Sequence, residues 1–225
     1  MSNEIIIGAG VKVEVGLTES AAVTVDSISK STTPVVTAQN HALANGSAAY
    51  FSSVVGMEQL DGQAVHVSTQ GSPGDDDFTI TDIDSTNYGA FVSGQVIGVA
   101  SWATLLQSTT HNIGGGAGKT EDVGCLIDTT EKLITIKNAA ETVTIDVRSL
   151  KEDNAAMAKI RRTARQLGYL VFRVTYPPSA GQTVGAQRIY RGQPSIPGES
   201  VSQGATGTGQ LSVTVKGQIC YIPGA

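Results

Sequence analysis

SLKEDNAAMAKIRRTARQLGYLVFRVTY, residues 149–176, decides how this chain is read, because it sets one well-specified helix directly before a strand. Ser149-Leu-Lys-Glu152 has the Ser-x-x-Glu form of a capping box, and Glu152 and Asp153 place acids in the first turn. Lys159, Arg161, Arg162 and Arg165 gather bases towards the end, where the helix dipole favours them, and Gly168 supplies a stop. A helix is therefore predicted from about 149 to 167. Ala156, Met157, Ile160, Ala164 and Leu167 recur at spacings of three and four, so they share a face for packing on a sheet, with the four bases on the others.

The rest of the chain has the pattern of β structure. Val11, Val13 and Val15 alternate with Lys12 and Glu14; Val143, Ile145 and Val147 with Thr142, Thr144 and Asp146; Leu211, Val213 and Val215 with Ser212, Thr214 and Lys216. Each predicts a strand with one buried face. After the helix, Leu170, Phe172, Val174 and Tyr176 form one face, but Val171 puts an apolar residue on the other. That predicts a strand covered on both sides, ended by Pro177-Pro178.

Length and composition bound the rest. The 225 residues, 40% of them apolar, supply a core without staples, in one domain or two small ones. Cys125 and Cys220 lie far apart with no metal-type spacing, which predicts two free thiols in a reducing compartment. No apolar run reaches the roughly 18 residues of a membrane span, and the N-terminus lacks the basic start of a signal peptide, so a soluble, unsecreted protein is expected. A formal charge of −5 argues against a general phosphate-binding surface.

Between about Val25 and Val99, short strands are bounded by turn signals at Asn45-Gly46, Asp61-Gly62, Ser72-Pro73-Gly74 and Ser93-Gly94, a spacing suited to a small β barrel or sandwich. Tyr50, Phe51, Phe78, Tyr88 and Phe91 can seed its core. One strand alone precedes it and cannot stand by itself. The economical arrangement is an insertion: residues 1–22 and 101–225 form a discontinuous domain, and residues 23–100 an inserted β domain on its outer surface.

Taken together, Val11 to Leu17, Ser101-Trp-Ala103, a Gly-rich loop, Val143 to Val147, the helix, Tyr169-Leu-Val-Phe-Arg-Val-Thr-Tyr-Pro177, Ile189-Tyr-Arg-Gly192 and Leu211-Ser-Val-Thr-Val-Lys-Gly217 resemble the tail tube (major tail) proteins of long-tailed, non-contractile bacteriophages. The resemblance implies a mainly β (α+β) fold, a β-sandwich or barrel with one flanking helix. It also implies hexameric rings stacked into a tube through which DNA is ejected. The middle segment, through Val25-Asp-Ser-Ile28, Pro34-Val-Val-Thr37, Val54-Val-Gly-Met57, Phe78 and Ser85-Thr-Asn-Tyr88, is similar to a β module of phage tail proteins named for a half-domain of ubiquitin-activating enzymes. No cysteine lies in this segment, so the chemistry of that name does not carry over.

The resemblance further implies other copies of the chain as the main partner, a tape-measure protein inside the tube, and tail terminator and baseplate or distal tail proteins at its ends. DNA would pass without specific binding. The location would be the virion, after assembly in the host cytoplasm. Candidate subunit contacts are the helix bases Lys159, Arg161, Arg162 and Arg165; the Gly-rich arm from about Gln107 to Thr120, with Gly114, Gly115, Gly116 and Lys119; and Ile5, Ile6 and Ile7 of an N-terminal segment that orders on contact. The polar positions of the Val143 to Val147 or Leu211 to Val215 strands are expected to face the channel.

Sharper chemistry is weakly supported, and no enzyme, cofactor or metal is expected. Gly114-Gly-Gly-Ala-Gly-Lys-Thr120 approaches a phosphate-binding loop, but Ile113 stands where the first glycine belongs and no convincing helix follows. His41, His66 and His111 have no ligand spacing, with His41 expected in a turn and His66 on the outer face of a strand. Asp75-Asp-Asp77 lacks the glycine and distal glutamate of a calcium loop, and Gly-x-Ser-x-Gly is absent. The alternatives kept are a terminator or baseplate ring protein of the same fold, and a carbohydrate-binding module using Tyr50, Tyr88, Trp102 and Tyr190 as stacking platforms.

Overall fold

Val171 and Phe172 point to opposite faces of one strand, and both are buried. The computed structural model that shows this describes residues 10–68, 76–105, 108–115, 118–122, 133–138, 140–148, 154–195, 198–200 and 207–224. The strands are β1 (Lys12–Glu19), β2 (Val23–Thr24), β3 (Ser27–Ile28), β4 (Val35–Thr37), β5 (Ala48–Val55), β6 (Ala64–Ser68), β7 (Asp77–Thr81), β8 (Ser93–Thr104), β9 (Ser108–Gly114), β10 (Gly118–Asp122), β11 (Leu133–Asn138) and β12 (Thr142–Arg148). Helix α1 (Ala155–Arg165) comes next, then β13 (Leu170–Thr175), β14 (Gln187–Pro194), β15 (Gly198–Ser200), β16 (Thr208–Val215) and β17 (Cys220–Ile222). The fold is mainly β with one helix, as the alternation predicts.

One curled antiparallel sheet runs in the order β3-β4-β7-β6-β5-β8-β1-β13-β14-β16-β12-β9, and β10 and β11 form a separate ladder. The curl wraps a first core. Val13 and Val15 of β1, Leu170, Phe172 and Val174 of β13, Tyr190 of β14, Val143, Ile145 and Val147 of β12, and Leu211, Val213 and Val215 of β16 all meet there, with Ala156, Met157 and Ile160 of α1. A second core, around Phe51, Met57, Leu60, Val65, Phe78, Ile80 and Val96, fills the 23–100 segment.

The two are joined in two ways. Strand β8 pairs with β5 through its first half and with β1 through its second, so one continuous ladder crosses between them. A third cluster lies between: Val171 and Ile189, on the outer faces of β13 and β14, pack with Cys220 against Ala48, Tyr50 and Ala64. The 23–100 segment is what covers the second face of β13. Lys216 Nζ to Asp61 Oδ2 at 3.1 Å, and Arg191 stacked 4.2 Å over the Tyr50 ring, close the seam.

Three local expectations are corrected. Helix α1 starts at Ala155, because Asn154 caps it in an extended conformation, accepting the Ala156 N–H at 2.9 Å; the Ser149-x-x-Glu152 box lies outside the described residues. At its other end the left-handed residue is Leu167, with φ of +53°, not Gly168. The Leu167 N–H donates to Ala164 O and the Gly168 N–H to Thr163 O, the paired bonds of a Schellman motif. Gly168 is there for closeness, since a Cβ would stand 2.9 Å from Thr163 Cγ2. Leu167, assigned by spacing to the packed face, is 73% exposed, because the chain turns left-handed before its side chain reaches the core; a non-glycine residue there costs about 1–2 kcal/mol.

The third correction concerns the Gly-rich arm. Its described parts are largely strand: β9 extends the sheet beyond β12, and β10 pairs with β11. The β-branched Thr109, Thr110, Ile113, Ile134, Thr135 and Ile136 favour extended backbone, and Gly115, after β9, is left-handed with φ of +98°.

Ile189→Ala is expected to destabilise the whole chain by about 2–5 kcal/mol. Trp102, partly buried against the third cluster, reports on the seam. Its fluorescence midpoint in urea should shift together with the far-ultraviolet circular dichroism midpoint, whereas two separated transitions would show the halves unfolding independently.

Candidate assembly surfaces

The basic residues of α1 are displayed as their spacing predicts. Arg161, Arg162 and Arg165, with Ala158 and Gln166, line a surface groove of about 390 Å³ on the side of the helix away from the first core. Lys159 is half-buried on the same helix and does not line the groove. Gly114 and Gly115 are elsewhere, where β9 ends beside Thr142 of β12. Lys119 is in β10, its backbone paired with Lys137, while Gly116 and Ile5, Ile6 and Ile7 lie outside the described residues.

Composition alone did not reveal the sheet's open end. Among the described strands β9 pairs only with β12, so its other edge is unpaired. Natural sheets guard such edges with lysine, proline or shortness. Ser108-Thr-Thr-His-Asn-Ile-Gly114 has none of these devices, whereas β3, at the opposite end, is only two residues long.

Strands β9, β12 and β16 also present a polar face, opposite the first core. Thr110 and Asn112, Thr142, Thr144 and Asp146, and Gln210, Ser212 and Thr214 stand in register across it. Asp146 accepts hydrogen bonds from the Thr110 hydroxyl and the Gln210 amide, and these hold its carboxyl below the usual range. Asp146 is the one carboxylate among these side chains and none of them is cationic; the next residue of the row, at the end of β12, is Arg148.

A family model for phage tail tube proteins matches residues 55–222, well over half of the chain. The chain belongs to the phage tail tube protein family. It is a structural protein of the virion that assembles with its own copies into a tube. The match begins at the last residue of β5 and runs through the remainder of the 23–100 segment as well as the strands that follow. No curated protein matches this tail tube protein.

The other candidates have local explanations. Gly118, Lys119 and Thr120 are in a strand, so the Gly-rich run lacks the helix N-terminus that phosphate binding needs. The stacking-platform reading fails for Tyr50 and Tyr190: both are buried, with Arg191 over the Tyr50 ring and Phe172 stacked on Tyr190 at 5.4 Å. Trp102 is likewise covered, by Arg173 at 4.3 Å, and Glu14 holds that guanidinium at 2.8 Å. Burial would raise the Glu14 pKa, but Lys12 and Arg173 outweigh it and keep the carboxyl below its usual value. His41 is buried in its turn, where its Nδ1 accepts the Leu43 N–H. His66 is half-buried rather than outward, with Nδ1 3.0 Å from the Thr81 hydroxyl. Cys220 is buried, and burial first, then Asp82, pushes its thiol up to about 11. Cys125 and Asp75 lie outside the described residues. No described helix is long and apolar enough to cross a membrane.

His111 is the functional-looking residue whose setting the sequence did not disclose. It fastens the edge strand of the tail tube protein, with Nδ1 and Nε2 each 3.4 Å from a tyrosine hydroxyl, those of Tyr176 and Tyr190. Burial, then the nearby Arg188 charge, lowers its pKa from 6.5 to about 4. Between those values the unfolded chain binds the extra proton, so this contribution to stability is full above pH 6.5 and is lost as pH falls towards 4. In His111→Gln, the fall of the urea midpoint across that range should be shallower than in wild type. It should not vanish, because burial lowers the His66 pKa as well.

Proposed function

We propose that copies of this tail tube protein close into hexameric rings, and that the rings stack into the conduit through which DNA is ejected into the host. The observation that carries this is β9, an uncharged seven-residue edge with an unguarded row of backbone donors and acceptors. Pairing it with a strand of a neighbour satisfies those groups and continues the sheet around a ring. A heterologous contact of this kind closes when its rotation permits, and a second one between rings extends the tube. Assembly takes place in the host cytoplasm, with a tape-measure protein inside the growing tube and terminator and distal tail proteins at its ends.

The polar face of β9, β12 and β16 is the channel wall in this reading. Over the rows from Thr142 to Asp146, hydroxyls, amides and a single tethered carboxylate offer DNA no cation with which to displace its counterions, Arg148 coming only at the end of β12, so the duplex slides over this stretch without adhering. Residues 1–22 and 101–225 then make up the tube domain, and residues 23–100 an inserted β domain of the ubiquitin-activating-enzyme half-domain type on the outer side. What supports this placement is the seam, where the segment covers the side of β13 and β14 that faces away from the first core.

Negative-stain microscopy of the purified full chain should show long hollow tubes. Isolated rings that never stack would instead favour a terminator or baseplate role. Particles whose tubes carry Thr144→Lys and Ser212→Lys are expected to release DNA more slowly at low salt, with the difference shrinking as salt rises. An unchanged rate would place this face away from the channel.

A further inference from the structure

We propose that the acidic edge of the 23–100 segment of one copy docks in the Arg161, Arg162 and Arg165 groove of another, making the segment part of the assembly contact. The inference rests on the self-assembly reading above and names the two surfaces that meet. Charge is partitioned unevenly along the chain. Residues 23–100 hold eight carboxylates and a single base, Lys30, whereas the whole chain has 20 acids and 15 bases, so the remainder is slightly basic.

Strand pairing concentrates that charge. The Asp26 N–H donates to Thr37 O at 2.8 Å, Asp77 is the partner of Thr37 across β4 and β7, and Asp76 O accepts the Ala38 N–H at 2.7 Å. Asp26, Asp76 and Asp77 are therefore gathered at the outer end of the sheet, all exposed. The groove belongs to a helix that packs on the opposite face of β13 from this segment. Helix α1 packs on the face of β13 that carries Phe172, while the 23–100 segment packs on the face that carries Val171. Within one chain the sheet separates the two surfaces, so a contact between them joins two copies and is heterologous.

The groove also has an apolar neighbour. Leu167 holds a left-handed conformation and is 73% exposed immediately after Arg165 and Gln166, a strained position that a covering partner would put to use. Burying Leu167 excludes water from the rim of the groove, which strengthens the guanidinium–carboxylate pairs beside it.

The test uses full-length chains carrying Arg162→Glu with Arg165→Glu, Asp26→Lys with Asp77→Lys, or all four changes, with folding checked by circular dichroism and assembly followed by sedimentation and microscopy. Each double variant should lower the polymerised fraction about tenfold or more, and the fourfold variant should recover most of it. Leu167→Gly provides an independent arm: it relieves the backbone, so the melting temperature of the unassembled chain should rise while assembly falls. Normal tubes from both double variants would overturn the docking and leave the tube reading intact, as would a fourfold variant no better than the doubles. A wild-type chain that forms no oligomer would overturn the tube reading, and this inference with it. Loss of duplex-DNA retention in the groove variant with assembly unchanged would assign the groove to nucleic acid and overturn the proposal.

Discussion

Burial of β13 on both sides is the constraint on which the structure depends. Leu170, Phe172 and Val174 hold one core and Val171 the other, so this strand cannot shift register by one residue without trading the residues of the two cores. Its neighbours inherit that fixity. Arg173 stands opposite Glu14 of β1, and the same guanidinium covers Trp102 of β8, so the polar position of β13 ties three adjacent strands together. A lone buried carboxylate would be costly; Glu14 is tolerated because Lys12 and Arg173 both reach it.

How much of this the sequence disclosed depended on whether the signal was local. Val143 to Val147 and Leu211 to Val215 alternate cleanly, and each is a strand with the expected face buried; Val13 and Val15 of β1 are buried too, but so is Glu14 on its other face, where one buried face was expected. Val171 was equally informative, since one apolar residue on a polar face foretold a second cover. Its identity was not legible, because Tyr50 and Ala64 belong to a segment that pattern alone treats as separate. The helix was recognisable from its apolar spacing, but its start at Ala155 was not, because Asn154, an equally good cap by residue type, lies inside the span that the Ser149 box suggested. Leu167 fits the helical spacing and leaves the face only because the Schellman turn reverses the backbone one residue before the glycine.

The candidate surfaces divide in the same way. The arginines of α1 were visible as a basic stripe, since helical geometry alone sets which of them stand together. The open edge of β9 was hidden because the run from Gln107 to Thr120 holds as many glycines as β-branched residues and so has the look of a loop. Edges are properties of a sheet rather than of a strand, and no local pattern says which strand will be last.

Strand β8 gives this architecture a mechanical character. A module hung from two flexible linkers would swing under load and peel away one hydrogen bond at a time. Here the twelve residues from Ser93 to Thr104 run as a single beam from β5 on one side to β1 on the other. A pull along it loads the β1–β8 and β5–β8 ladders in shear, with many hydrogen bonds sharing the force at once. The 23–100 segment therefore bends together with the strands that follow it, as a rib does on a hose.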